Sequence, residues 1–153
     1  MKIIDLLAQN CILPNLQATT KKSVLEELAQ TMTPGPDELS LPTVMEVLLD
    51  RERLGSTGIG DNIAIPHGKL AQLSQLMLCF GRSLKGVEFD SMDGKPSQIF
   101  FMLLAPVNSA GLHLKALAKI SRMLMSQPFR ENLMKADGIE EIYRLIAERD
   151  AEF

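Results

Sequence analysis

The chain has 153 residues, 46% of them hydrophobic and 23% charged, with no tryptophan, a balance that describes a folded globular protein and excludes a disordered one. Lys and Arg total 16 against 19 Asp and Glu, for a formal net charge of -3, so no basic surplus exists to neutralise a nucleic-acid backbone. The longest apolar stretches, such as Ile99 to Pro106, fall far short of the roughly 20 residues of a membrane span and no secretory apolar segment follows Met1, which predicts a cytoplasmic protein without membrane insertion.

Ile3 to Leu7 is a short apolar stretch fit for one or two helical turns, and Cys11 to Leu16 fits a strand. From Lys21, Val24, Leu25, Leu28 and Met32 recur at helical spacing behind Thr20 as N-cap, until Pro34-Gly35-Pro36 stops the pattern. A second helix, with Pro42 in its first turn and Val44, Val47 and Leu48 on one face, runs to about Arg53 before Gly55 ends it. Ile63-Ala64-Ile65 is a short apolar run closed by Pro66, whereas Leu76 to Phe80 and Ile99 to Leu104 suit buried strands joined through a turn at Asp93-Gly94. The remainder is helical: Leu112 to Met125, a piece begun by Pro128, and an amphipathic stretch carrying Ile139, Ile142, Tyr143 and Ile146. Helices, then strands, then helices, with no repeat or linker, predict one α/β domain with a mixed sheet covered on both faces. Cys11 and Cys79 stand far apart among apolar neighbours, as reduced core residues rather than a disulfide framework.

The chemistry concentrates in Arg51-Glu-Arg-Leu-Gly-Ser-Thr-Gly-Ile-Gly-Asp-Asn-Ile-Ala-Ile-Pro-His-Gly-Lys69, where Gly55, Gly58 and Gly60 build a loop and Pro66 ends a strand just before His67. An imidazole at a strand end suits phosphoryl transfer, because its unperturbed pKa of about 6.5 leaves a neutral nucleophilic nitrogen near neutral pH. The plain alternative is a histidine with a structural role only. Arg51 continues the stripe of Val44, Val47 and Leu48, whereas Arg53, roughly 200° further round the helix, points elsewhere. Arg51 could bond phosphoryl oxygens, or serve only as a cation at a helix C-terminus. His113 opens the inward stripe of Leu117, Ile120 and Leu124, as a core histidine or as a partner of His67.

Three rival readings bear on these residues. Gly55-Ser-Thr-Gly58-Ile-Gly60 echoes a dinucleotide loop, but such a loop follows a strand and opens a helix, whereas this one follows a helix and leads into a strand. Two histidines and a cysteine are too few spaced ligands for a typical zinc site. A pure binding module is the third, separable by whether His67 accepts phosphate.

The motif Arg-Glu-x-x-Gly-Ser-Thr-Gly-Ile-Gly-x-x-Ile-Ala-Ile-Pro-His-Gly-Lys, followed about 45 residues later by His-Leu-x-x-Leu, resembles the enzyme IIA domains of the mannitol and fructose class of the bacterial phosphotransferase system. Within that class the flanking residues are most similar to the nitrogen-regulatory branch. The resemblance spans the chain and implies a three-layer α/β/α sandwich, a single phosphocarrier domain over 1–153, and no enzyme IIB or membrane IIC domain. It implies phosphorylation of His67, on Nε2, with Arg51 stabilising the phosphoryl group and His113 as second active-site histidine. Ser56, Thr57, Gly58 and Gly68 would support the phosphate-bearing loop, with structural roles favoured for the two hydroxyls. The donor would be an HPr-type phosphocarrier charged by an enzyme I with phosphoenolpyruvate, and no metal, nucleotide or other cofactor would be needed. The protein would be a phosphotransferase component without small-molecule turnover of its own, regulating nitrogen, carbon or ion metabolism. Service to a fructose- or mannitol-type enzyme IIB is the alternative. Asn62 stands where the class usually has glycine, which predicts a positive φ there, since asparagine tolerates left-handed geometry best among the other residues. Direct transfer between proteins further predicts a shallow depression around His67, rimmed by apolar residues.

Overall fold

The computed structural model describes residues 1–153. A capping box between Thr20 and Ser23 opens α1 (Lys21–Gln30), and Ser40 with Pro42 opens α2 (Leu41–Arg53). Ser126 and Pro128 do the same for α4 (Gln127–Lys135), which lies between α3 (Leu112–Met123) and α5 (Ile139–Asp150). The first apolar stretch is a short 3-10 helix, Ile3–Leu6.

Six strands form one mixed sheet: β1 (Leu7–Leu13), β2 (Gly58–Gly60), β3 (Ile63–Ala64), β4 (His67–Leu70), β5 (Met77–Val87) and β6 (Ser97–Pro106). The spatial order is β1-β5-β6-β3-β2, and β4 also pairs with β6, further along it than β3 does. β5 and β6 are antiparallel, whereas β1 runs parallel to β5, and both β3 and β4 run parallel to β6. Side chains alternate along β5, so Cys79 and Gly81 meet α1 while Arg82 reaches the last carbonyls of α4 on the other face. Helices α1 and α2 thus cover one face and α3, α4 and α5 the other, an α/β/α sandwich around one core of 39 buried residues.

Several boundaries differ from the sequence reading, for identifiable reasons. The first strand begins at Leu7 rather than Cys11, because its register with β5 already includes Leu7 opposite Leu78. Strand β5 runs on past Phe80 through Gly81, Arg82 and Ser83, which break the apolar run. Arg82 is nonetheless buried, its guanidinium donating to the carbonyls of Pro14, Leu133 and Ala136 at 2.9, 2.9 and 2.7 Å. A buried cation so supplied with acceptors at a helix C-terminus does not oppose strand formation.

Strand β4 carries only one apolar residue, Leu70, and the sequence pattern placed His67 in a loop at the end of a strand. His67 instead opens β4, paired with Leu103. Pro66 has no N–H to offer the ladder, yet its carbonyl still accepts from Leu103 N at 2.9 Å, so pairing resumes one residue later.

The hairpin from β2 to β3 turns on Asp61 and Asn62, with φ of 54° and 64°. Positive φ at both central residues is the geometry whose twist matches the flanking strands. Asn62 therefore has the positive φ its side chain predicts, and its amide donates to Pro96 O at 2.8 Å.

Gly68 decides how closely α2 lies on β4. A Cβ there would stand 2.5 Å from Val47 Cγ1, on a β-branched side chain with little rotamer freedom in a helix. Gly68→Ala is expected to lower stability by about 1–3 kcal/mol through overpacking, read as a lower urea midpoint at unchanged slope. Val47→Ala in the same chain should recover part of that loss; additive effects of the two substitutions would show that this contact does not set the spacing.

Candidate active site

The Ile65 carbonyl faces away from β6, and Thr57, whose carbonyl accepts from Ile65 N at 3.0 Å, turns its own N–H to Glu52, so the Ile65 carbonyl is left to meet His67 Nδ1 at 2.9 Å. A carbonyl only accepts, so Nδ1 carries the proton and Nε2 keeps its lone pair. Partial burial is the main reason the His67 imidazole lies below its ordinary 6.5; the Arg51 and His113 charges push the same way, against the Ile65 bond and Glu52. His67 is therefore a neutral base at pH 7, with the Nε2 lone pair unengaged. Since the unfolded chain binds this proton more readily, the residue's contribution to stability is complete above about pH 6.5 and is lost as pH falls through the lowered folded value.

On β4, His67 points to the α3 face and Gly68 to α2, so the cleft at this edge of the sheet receives side chains from both layers. It measures about 480 Å³ and is lined by Val47, Arg51, His67, Leu103, His113 and Leu117, among others. Leu54 and Leu114, 85% and 61% exposed, form an apolar rim around it. Arg51 lies one turn beyond Val47 and donates to Gly55 O at 2.8 Å, while Arg53 pairs with Asp50 on the surface, as the helical geometry predicted. His113, in the first turn of α3, meets Ser109 Oγ through Nδ1 at 2.9 Å. Partial desolvation and then the Lys69 charge hold its imidazole below the usual range. A larger groove of about 640 Å³, between the N-terminal segment and the loop after β6, has no ionisable side chain in its walls.

Of the loop residues, Gly68 lines the cleft and Ser56, Thr57 and Gly58 do not. The Ser56 hydroxyl donates to Phe89 O and accepts from Gly58 N. The Thr57 hydroxyl donates to Glu52, whose other oxygen accepts from Thr57 N at 3.0 Å. Both hydroxyls thus hold the loop itself. A Cβ on Gly58 would meet Ser91 Oγ at 2.4 Å, so only glycine lets this strand approach so closely.

Sequence reasoning missed Glu52, which is nearly buried and pairs with Lys21 Nζ at 2.9 Å, tying α1 to the end of α2 that carries Arg51. It also missed Ser109, four residues before His113; that spacing was the only available signal. Cys11 and Cys79 bond to carbonyls near the end of α1, on the face of the sheet opposite His67 and His113. The mixed histidine and cysteine metal site considered from sequence therefore has no geometry here.

Residues 5–149 match the family model described as "Phosphoenolpyruvate-dependent sugar phosphotransferase system, EIIA 2". The chain belongs to this enzyme IIA family. As a member it is a phosphotransferase component that carries a phosphoryl group on histidine. It is 42% identical to a nitrogen regulatory protein of Bradyrhizobium diazoefficiens over 149 residues, 96% of this chain and 95% of that one. The crystal structure of nitrogen regulatory protein IIA-Ntr from Neisseria meningitidis superposes with a TM-score of 0.89 at 36% identity, covering 94% of this chain and 98% of that one. A fructose-specific EIIABC component of Bacillus subtilis is 35% identical over 98% of this chain and 24% of its own length. No helix of this family member is long and apolar enough to cross a membrane.

Long-range proton–nitrogen NMR should find His67 in the Nδ1–H tautomer with a titration midpoint below 6.5, and Arg51→Ala should raise that midpoint by removing a repelling charge. A proton on Nε2 in the neutral form would contradict the geometry.

Proposed function

We propose that the chain, as one enzyme IIA domain over residues 1–153, works in the cytoplasm as a regulatory phosphoryl carrier. His67 accepts phosphate from an HPr-type histidine phosphocarrier, and the phosphorylated and free forms act differently on protein targets in nitrogen, carbon or ion metabolism. The observation that carries this reading is the bond from His67 Nδ1 to the Ile65 carbonyl, which leaves Nε2 as the nucleophile beside Arg51 and His113. Full-length similarity to a nitrogen regulatory protein supports the regulatory role.

In the transfer, the lone pair of His67 Nε2 forms a bond to phosphorus as the donor's N–P bond breaks and its electron pair returns to the donor's ring nitrogen. One N–P bond replaces another, so catalysis reduces to alignment and to stabilising charge on the equatorial oxygens. Arg51 supplies positive charge from α2, and His113 faces the same cleft from α3. A second reading, transfer onward to an enzyme IIB in sugar uptake, is favoured by the fructose-specific relative; discharge of the phosphorylated protein by a fructose-type enzyme IIB would support it.

With purified enzyme I, phosphocarrier and phosphoenolpyruvate, the protein should gain one acid-labile phosphoryl group. His67→Ala should abolish labelling, Arg51→Ala should slow it about 100- to 1,000-fold, as for loss of a charge-stabilising donor, and Arg53→Ala should leave the rate within about twofold, in keeping with its exposed ion pair. Labelling that survives in His67→Ala would sink the assignment. Phosphorylation adds about -1.5 to -2 charge, so the affinity for a regulated target should differ between the two forms, measurable by calorimetry; equal affinities would refute the regulatory half.

A further inference from the structure

We propose that Ser109 is a positioning residue that fixes His113 in the tautomer opposite to that of His67, so that His113 presents an Nε2–H donor to the phosphoryl oxygens. The proposal rests on the functional reading above for its consequence, and on geometry alone for its tautomer.

Ser109 is 6% exposed, and the one hydrogen-bond partner of its hydroxyl is His113 Nδ1, at 2.9 Å. If the hydroxyl donates, Nδ1 accepts and the ring proton resides on Nε2. In the reverse arrangement Nδ1–H would donate to Oγ, and the hydroxyl hydrogen would be left without a protein acceptor. Such an unmet donor costs about 1–3 kcal/mol, enough to decide between tautomers that differ little in free imidazole. The lowered proton affinity of His113 keeps the ring neutral, so the choice between tautomers is a real one at pH 7.

The surrounding backbone holds Ser109 in place. Its N–H donates to Pro106 O at 3.1 Å, and its own carbonyl accepts from Leu112 N at 3.0 Å, closing two successive turns between the end of β6 and the start of α3. Ala110 and Gly111 follow with φ of 53° and 85°. Left-handed geometry at an alanine persists only where its surroundings enforce it, and here it returns the chain so that residue 113, on the helix, comes back over residue 109.

The two histidines then form a complementary pair in one cleft. His67 has its Nδ1 proton bound to a carbonyl and a lone pair on Nε2; His113 has its Nδ1 lone pair bound to a hydroxyl and a proton on Nε2. A neutral N–H donor bonds the transferring group without adding a charge that would further lower the basicity of His67. It also cannot compete as a nucleophile, because its lone pair lies on the nitrogen held by Ser109. Phosphate is thereby directed to one of two neighbouring imidazoles.

The chain has only two histidines, so the ring nitrogens can be assigned without ambiguity. In the unphosphorylated wild type, long-range proton–nitrogen spectra at pH 7.5 should show His67 as Nδ1–H and His113 as Nε2–H. Ser109→Ala should turn His113 into a mixture of tautomers and leave His67 unchanged. The same variant frees the ring to rotate as well as to change tautomer, so it should slow phosphoryl acceptance about 10- to 100-fold in kcat, as loss of a residue that orients a histidine does, with KM for the phosphorylated donor within twofold. Ser109→Thr, which keeps the hydroxyl, should restore both. A wild-type His113 protonated on Nδ1 overturns the proposal without any variant, as does an unaltered tautomer or rate in a folded Ser109→Ala. If the wild type took no phosphate on His67, the functional reading would fail, while the tautomer result would still stand or fall by its own spectra.

Discussion

The Ile65 carbonyl, turned away from β6 and left unpaired by Thr57, is the constraint on which the site depends. Were the Thr57 N–H to complete its pairing with Ile65 instead of donating to Glu52, that carbonyl would be taken and the His67 ring could turn about its side-chain bonds. With the Thr57 N–H held by Glu52, that carbonyl is free to bind Nδ1 at 2.9 Å, while the backbone at His67 pairs with β6. The His67 ring is therefore anchored twice, through its backbone in a strand and through its own nitrogen to a carbonyl two residues back. A rigidly supported group reacts with less reorganisation than one on a mobile loop.

Around this anchor, three elements converge on the cleft because small residues permit it. Gly68 lets α2 approach β4, and the turn of α2 after Val47 brings Arg51 to the cleft wall. The network of Glu52 with Thr57 and Lys21 holds the end of α2, the glycine-rich loop and α1 together, so the cation cannot shift independently of the histidine. From the opposite layer, the loop after β6 turns through Ala110 and Gly111 to aim the first turn of α3 at the same place. The site is thus assembled at a sheet edge where both helical layers meet, with Leu54 and Leu114 exposed at its rim.

Hydrophobic periodicity located four of the five α-helices, Pro128 marked the other, and apolar runs located β6 and the first half of β5, because a buried face must repeat with the period of its own backbone. It could not locate β4, whose four residues include histidine, glycine and lysine; that strand exists because β6 offers it hydrogen bonds, a partner chosen by topology and invisible to local composition. The far half of β5 was hidden for a related reason, since the acceptors that make Arg82 tolerable in a buried strand come from the end of α4, some fifty residues away in sequence.

By itself the sequence determined the helix starts, through Thr20, Pro42 and Pro128, the positive φ of Asn62, the different directions of Arg51 and Arg53 on their helix, and the motif that places the chain among the enzyme IIA domains. Each of these follows from local rules of spacing, capping or backbone geometry. Only the tertiary structure decided which nitrogen of His67 is free, which side chain holds His113, and that Ser56 and Thr57 spend their hydroxyls on the loop rather than the cleft. Those outcomes depend on donors and acceptors brought together from distant segments, and a hydrogen bond is settled by distance and direction in space, not by separation along the chain.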